Sequence, residues 1–256
     1  MAKETKDFHR IQLAAMPEFK VVEKDRKWLS YGYNNALCYE LIDLLNQSSK
    51  HNALITSKVN YITGNGLKSK NNDAASVKVI TSPNVMETGA ELIVKLSMDA
   101  EVFGGYYLQL VFSKVGGKLT DFYHVPFQDV MPNEDSTKFL YEKNGKKTSF
   151  KNGIEFDAFD PKHRKGTSIL YVRDYRVGSG VLTLPSYFSS LKYIKIDAEI
   201  ANFNYNNIVS GFAAGTMIVL SNGKPETEEQ IQEVIDGLKI NTSGTDKAGE
   251  VIVYFA

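Results

Sequence analysis

SYFSSLKYIKIDAEIANFNYNNIVSGFAAGTMIVLSNG, residues 186–223, decides the reading of this chain. Phe188, Leu191, Ile194, Ala198, Ala201, Tyr205 and Ile208 recur every three or four residues, the spacing that gathers side chains on one face of a helix. Pro185 suits a helix start, and Ser186 is placed to cap it. Lys192, Lys195, Asp197, Glu199, Asn202, Asn204, Asn206 and Asn207 fall between the apolar positions and can stay solvated. At about 1.5 Å of rise per residue, roughly 24 helical residues would reach about 36 Å, long for a helix of a compact domain. The run ends in Gly-bearing sequence and passes into an apolar strand, TMIVL (216–220), so it reads as a structural rod with a hinge.

Beyond it, Ser221-Asn222-Gly223 is a turn and Thr227 can cap the helix EEQIQEVIDGLKI, whose apolar face is Ile231, Val234, Ile235 and Leu238. A polar loop (241–249) leads to the strand EVIVYFA (250–256), and a chain stopping inside an apolar strand is expected of a fragment. Upstream, residues 1–30 keep no sustained apolar period and read as an extended arm. In residues 35–67, Leu37, Leu41, Leu44, Leu45 and Ser48 form one helical face and Leu54, Ile55, Val59 and Ile62 another, with a break near Asn46 to Ser49 and a Gly64-Asn65-Gly66 stop. VKVIT (77–81) reads as a short strand and METGAELIVKLSMDAEVF (86–103) as a helix. Gly104-Gly105 releases the strand YYLQLVFS, which turns at Gly116-Gly117 into KLTDFYHVP. From Phe127 to about Arg176, turn dipeptides punctuate the strands FLYEK, TSF, IEFDAF and SILYVRDY. The fold class is therefore α+β, hairpins covered by helices.

Composition narrows the function classes. Hydrophobic residues make up 43% of 256, enough for a real core in one large domain or two ordinary ones. Lys plus Arg equals Asp plus Glu at 30 each, so no global field holds nucleic acid, and any DNA contact must be local or transient. The single cysteine, Cys38, permits no internal disulfide and reads as a small buried hydrophobe, in keeping with a reducing compartment. MAKETKDFHR lacks the apolar core of a signal peptide, and no run approaches the ~20 apolar residues of a membrane span, so a soluble intracellular protein is expected.

Motifs that carry chemistry are sparse. There is no phosphate-binding Gly-Lys-Ser/Thr loop and no G-x-S-x-G elbow. His9, His51, His124 and His163 lie on different elements without metal-ligand spacing, so no metal or cofactor is expected. Glu155, Asp157 and Asp160 cluster in EFDAFDPKH and read as a solvated edge before an acid/base pair. Tyr106, Tyr107, Phe112, Phe122, Tyr123 and Phe127 read as sheet core, since Lys114 and Lys118 alone give little support to a base-stacking platform.

The order of elements resembles the portal protein family of tailed bacteriophages, the head-tail connectors. NALCYELIDLLNQSSKHNALITSKVNYITGNGL (35–67) is similar to that family's opening helix and glycine turn, and DAEVFGGYYLQLVFSKVGGKLTDFYHVPFQDVMP (99–132) to its glycine-nicked helix and hairpin. FNYNNIVSGFAAGTMIVLSNGKPETEEQIQEVIDGL (203–238) with KAGEVIVYF (247–255) is similar to its long helix, strand and capped helix. The resemblance implies a ring-forming subunit, commonly dodecameric, at a capsid vertex in the virion, assembled in the host cytoplasm. Double-stranded DNA would pass through it, and the terminase large subunit, a head-completion or adaptor protein and the major capsid or scaffolding protein would contact it. Beyond the arm over 1–30, it also implies a wing over 31–185, a stem helix over 186–213 and a clip over 214–256. On that mapping Leu191, Ile194, Ala198, Ala201, Tyr205 and Ile208 form the oligomer interface of the stem, Gly211, Gly215 and Gly223 its joints to the clip, and Ile231, Val234, Ile235 and Leu238 the clip helix. The family's second stem helix and channel loop have no counterpart in 1–256. Two other readings stay open: a different oligomeric virion or interaction protein, and an enzyme whose site is assembled from scattered residues.

Overall fold

A computed structural model describes residues 23–25, 27–64, 66–70, 73–209, 216–220, 229–230 and 251–255. The chain is α+β and divides into two units, Met1–Asp43 with Ala53–Phe188, and Leu44–Asn52 with Ser189–Ala256.

The first unit opens with a hairpin of β1 (Glu23–Asp25) and β2 (Trp28–Ser30). Within the expected extended arm the end is packed: Leu29 and Ser30 are buried, and Trp28 packs on a core cluster of Met131, Leu140 and Phe150, while residues 1–22 lie outside the described residues. The following turn contains Asn34 and Asn35 at φ 51° and 58°, a left-handed backbone that asparagine tolerates. Asn35 is fully buried; its Oδ1 accepts from Tyr31 N (3.0 Å), while its Nδ2 donates to the carbonyls of Gln128 and Val130 (both 3.0 Å). That amide thereby fixes where α1 (Ala36–Gln47) begins.

A one-residue interruption at Ser48 separates α1 from α2 (Ser49–Thr63), inside the expected break. Next comes α3 (Ala74–Thr81), where the sequence predicted a strand. The Asp73 carboxylate accepts from Ser76 N at 2.9 Å and caps the helix start, and packing against α4 (Gly89–Phe103) outweighs the strand preference of Val77, Val79 and Ile80. In α4 the side chains and backbones of Thr88 and Glu91 form a reciprocal capping box. Gly104 ends it at φ 84°, where a Cβ would lie 2.5 Å from the Leu184 carbonyl oxygen, so both conformation and space require glycine.

Strands β3 (Gly105–Phe112), β4 (Leu119–Val125), β5 (Val130–Pro132), β6 (Lys138–Tyr141), β7 (Ile154–Ala158) and β8 (Gly166–Arg173) form one sheet in the order β4-β3-β8-β7-β6-β5. All its pairings are antiparallel except β7 with β8. The expected strand at TSF is instead the end of α5 (Gly145–Thr148) and the left-handed residues Ser149 and Phe150. Tyr107, wholly buried, stacks on Tyr171 at 4.5 Å and lies 5.0 Å from Phe127, which in turn stacks on Phe103 at 4.7 Å. These rings join the sheet to the end of α4, and each buries enough apolar area to dominate the local energy.

In the second unit, α6 (Leu191–Val209) follows a 3₁₀ turn at Phe188–Ser190, and the parallel pair β9 (Thr216–Leu220) and β10 (Val251–Phe255) completes the described elements. The helix starts five residues later than Ser186 because Phe188 N donates to the Pro185 carbonyl in a turn (3.1 Å).

Candidate functional site

The candidate site is α6, because its 19 residues carry more apolar surface than its own unit covers. Leu191 and Ala198 are buried and Ile194 is half-buried, whereas Ala201, Tyr205 and Ile208, next along the same face, are exposed. The covered half is fastened by Asp197, whose carboxylate accepts from Ser48 Oγ (2.8 Å) and pairs with Lys50 Nζ (2.9 Å). The Lys50 contact, then that of Ser48, hold this carboxyl below its ordinary range. His51, buried in the same unit, is held below its ordinary value by burial. Gly211, Gly215 and Gly223, and the helix positions Ile231, Val234, Ile235 and Leu238, lie outside the described residues.

A second apolar stripe runs along α6. Tyr193, Ile196, Ile200 and Phe203 repeat at steps of three, four and three, and at about 100° per residue they fall roughly opposite Leu191, Ile194 and Ala198. All four are exposed, Tyr193 at 73% and Phe203 at 64%. Lys192, Glu199, Asn202 and Asn206 occupy one of the intervening flanks and Asp197 and Asn204 the other. The helix is thus apolar on two opposed faces with polar seams between. The stripe was present in the sequence at the same spacing as the first; reading one face per helix leaves it out.

The groups that could have carried chemistry are engaged structurally. His124 Nε2 lies 2.7 Å from Asp99 Oδ2 between β4 and α4, and His163 Nδ1 lies 2.6 Å from Asp160 Oδ2 in an exposed loop. Glu155 pairs with Lys27 at 2.8 Å, and Lys138 lies 3.7 Å from Asp157. The Cys38 thiol is buried and pushed well up by that burial. His9 lies outside the described residues. Among the described residues no three His, Cys, Asp or Glu side chains gather as a metal site, and no helix is long and apolar enough to cross a membrane.

No protein-family model matches the sequence, and no curated protein matches it. The fold is similar to chains in solved structures of gene transfer agent particles. A chain in the virion of a native gene transfer agent (GTA) particle aligns at 11% identity with a TM-score of 0.53, over 82% of this chain and 57% of that one. A chain in the neck of the empty GTA particle, computed with C6 symmetry, gives 12% identity and a TM-score of 0.53, over 82% and 58%. A third, in the neck of the native GTA particle computed with C12 symmetry, gives 12% identity and 0.51, over 82% and 57%. The chain spans less than three-fifths of the length of these structures, and at such identity the likeness is one of fold.

Proposed function

We propose that this chain is a structural subunit of a phage-like virion, and specifically a portal-type subunit that assembles through α6 into a ring at a capsid vertex. Double-stranded DNA passes through the ring during packaging and ejection, and the terminase large subunit and a head-completion or adaptor protein dock on it in turn, with the major capsid or scaffolding protein around it. The protein acts without catalysis, in the virion after assembly in the host cytoplasm.

The observation that carries this reading is the pair of opposed apolar faces on α6. In a closed cyclic ring every copy presents two different surfaces, one to each neighbour, so a helix between neighbours needs apolar contact on both sides. The fold shared with neck chains computed with C6 and C12 symmetry supports the same arrangement.

Ile200→Asp combined with Phe203→Asp tests it. Both side chains are exposed in the single chain, so the change leaves the subunit folded, and it places two carboxylates where a neighbour would bury them. Sedimentation velocity is expected to give wild-type species many times the 28.6 kDa subunit mass and the variant as single subunits. A variant that assembles like the wild type removes the stripe, and with it this reading.

A further inference from the structure

The overall neutrality of the chain conceals a concentrated positive surface on the sheet unit. The loop between β3 and β4 carries Lys114 and Lys118, and the loop between β7 and β8 carries Lys162, Arg164 and Lys165, all five exposed. The two loops leave the sheet at the same end, because Phe112 and Gly166, their neighbouring strand residues, are paired in the β3–β8 ladder. Their backbones touch: Gly117 sits at φ 59°, and a Cβ on it would lie 2.7 Å from the Arg164 carbonyl oxygen. Phe112 stacks on Phe159 at 5.8 Å and anchors the second loop from below.

One carboxylate, Asp160, stands in these two loops against the five cations. Asp160 has one carboxylate oxygen on His163 and the other accepting from Lys162 N at 2.8 Å, and Asp121 lies with Lys78. Among the described residues no carboxylate pairs with Lys114, Lys118, Lys162, Arg164 or Lys165. Five unpaired cations crowded on two abutting turns repel one another, a cost that a polyanion would remove.

We propose that these two loops form a binding patch for the phosphate backbone of duplex DNA. The cations stand on exposed turns, which suits spaced phosphates contacted without reading bases. A single strand would need aromatic rings offered for stacking, and Phe159 is instead committed to Phe112. An acidic peptide would need an edge or an apolar hold, and the one exposed apolar side chain in the β3–β4 loop is Val115. The patch stands on the sheet unit alone and does not depend on ring assembly.

The test is fluorescence anisotropy of a short dye-labelled DNA duplex with the full chain, between about 50 and 200 mM salt. The comparison is between wild type, a variant with all five cations changed to Gln, and a charge-matched control with Lys68, Lys70, Lys143, Lys147 and Lys151 changed to Gln. Five phosphate contacts give a slope of log affinity on log salt of about −4.5, hence a fall of roughly 500-fold over that range. The five-cation variant is expected to lose most of the affinity and nearly all of the slope, and the control to keep both. Equal binding by wild type and the five-cation variant, or no binding by wild type, overturns the proposal. So does a wild type that binds polyglutamate more tightly than the duplex, which would make the partner an acidic protein. Sedimentation of the same samples reports assembly separately, so loss of DNA binding and loss of the ring are distinguished.

Discussion

Ala201→Pro is expected to abolish assembly while leaving the sheet unit folded. Ala201 lies in the middle of α6, where helical geometry bonds its N–H to the carbonyl of Asp197. Proline deletes that bond, and its ring collides with the same carbonyl, at a cost of about 3 kcal/mol or more. The two remaining pieces, 191–200 and 202–209, are each shorter than the roughly 12–15 residues an isolated helix needs in water. The opposed stripes would then lose their common axis, and with it the spacing that lets two neighbours grip one rod. The β3–β8 sheet and its aromatic core contain no residue of α6, so their unfolding transition should be retained. Ala201→Gln, which keeps a good helix former at the position, serves as the control. Sedimentation with near-ultraviolet circular dichroism reads both quantities, and a proline variant of wild-type oligomer size would contradict the rod assignment.

His124→Leu is expected to destabilise the sheet unit by about 3 kcal/mol, because it strips a buried carboxylate of its charge-assisted partner. For a chain of this size that corresponds to a fall in melting temperature of roughly 6–12 °C. Asp99 is held above its ordinary 3.8 by burial, and the hydrogen bond and charge of His124 oppose that rise. Removing His124 lets the carboxyl rise further. A carboxyl raised in the folded state binds its proton more tightly there than in the unfolded chain, so its destabilising effect is absent below 3.8 and complete above the folded value. The penalty should therefore be large at about pH 7 and shrink as the pH falls towards 3.8. Changing Asp99 to Asn as well should recover part of the loss at neutral pH. A penalty independent of pH would mean that His124 acts only by filling space.

The legible parts of this fold were those with sustained period or unmistakable punctuation. Leu92, Leu96 and Phe103 marked α4, Gly104-Gly105 marked its exit, and the alternation of YYLQLVF marked β3. VKVIT reads as a strand because its four β-favouring residues say nothing of the Asp73 cap in front of them or of the α4 surface against them. Residues 28–30 read as part of the arm because three residues carry no period, and Trp28 meets Met131, Leu140 and Phe150 only through contacts distant in sequence. Asn35 gave no local sign either, since its three hydrogen bonds reach forward to Gln128 and Val130 and back to Tyr31. The candidate site was half legible: the first face of α6 was read from its spacing, and the opposite stripe of Tyr193, Ile196, Ile200 and Phe203 emerged only when exposure showed it uncovered. The basic patch had no sequence signature, because Gly117 and Arg164 meet only through the β3–β8 pairing.

The most direct measurement is negative-stain electron microscopy of the purified chain over a range of concentrations. The expected images are closed rings with a central opening. Fields containing only single subunits at every concentration, with the protein folded by circular dichroism, would contradict the assignment of α6 as the rod of a ring.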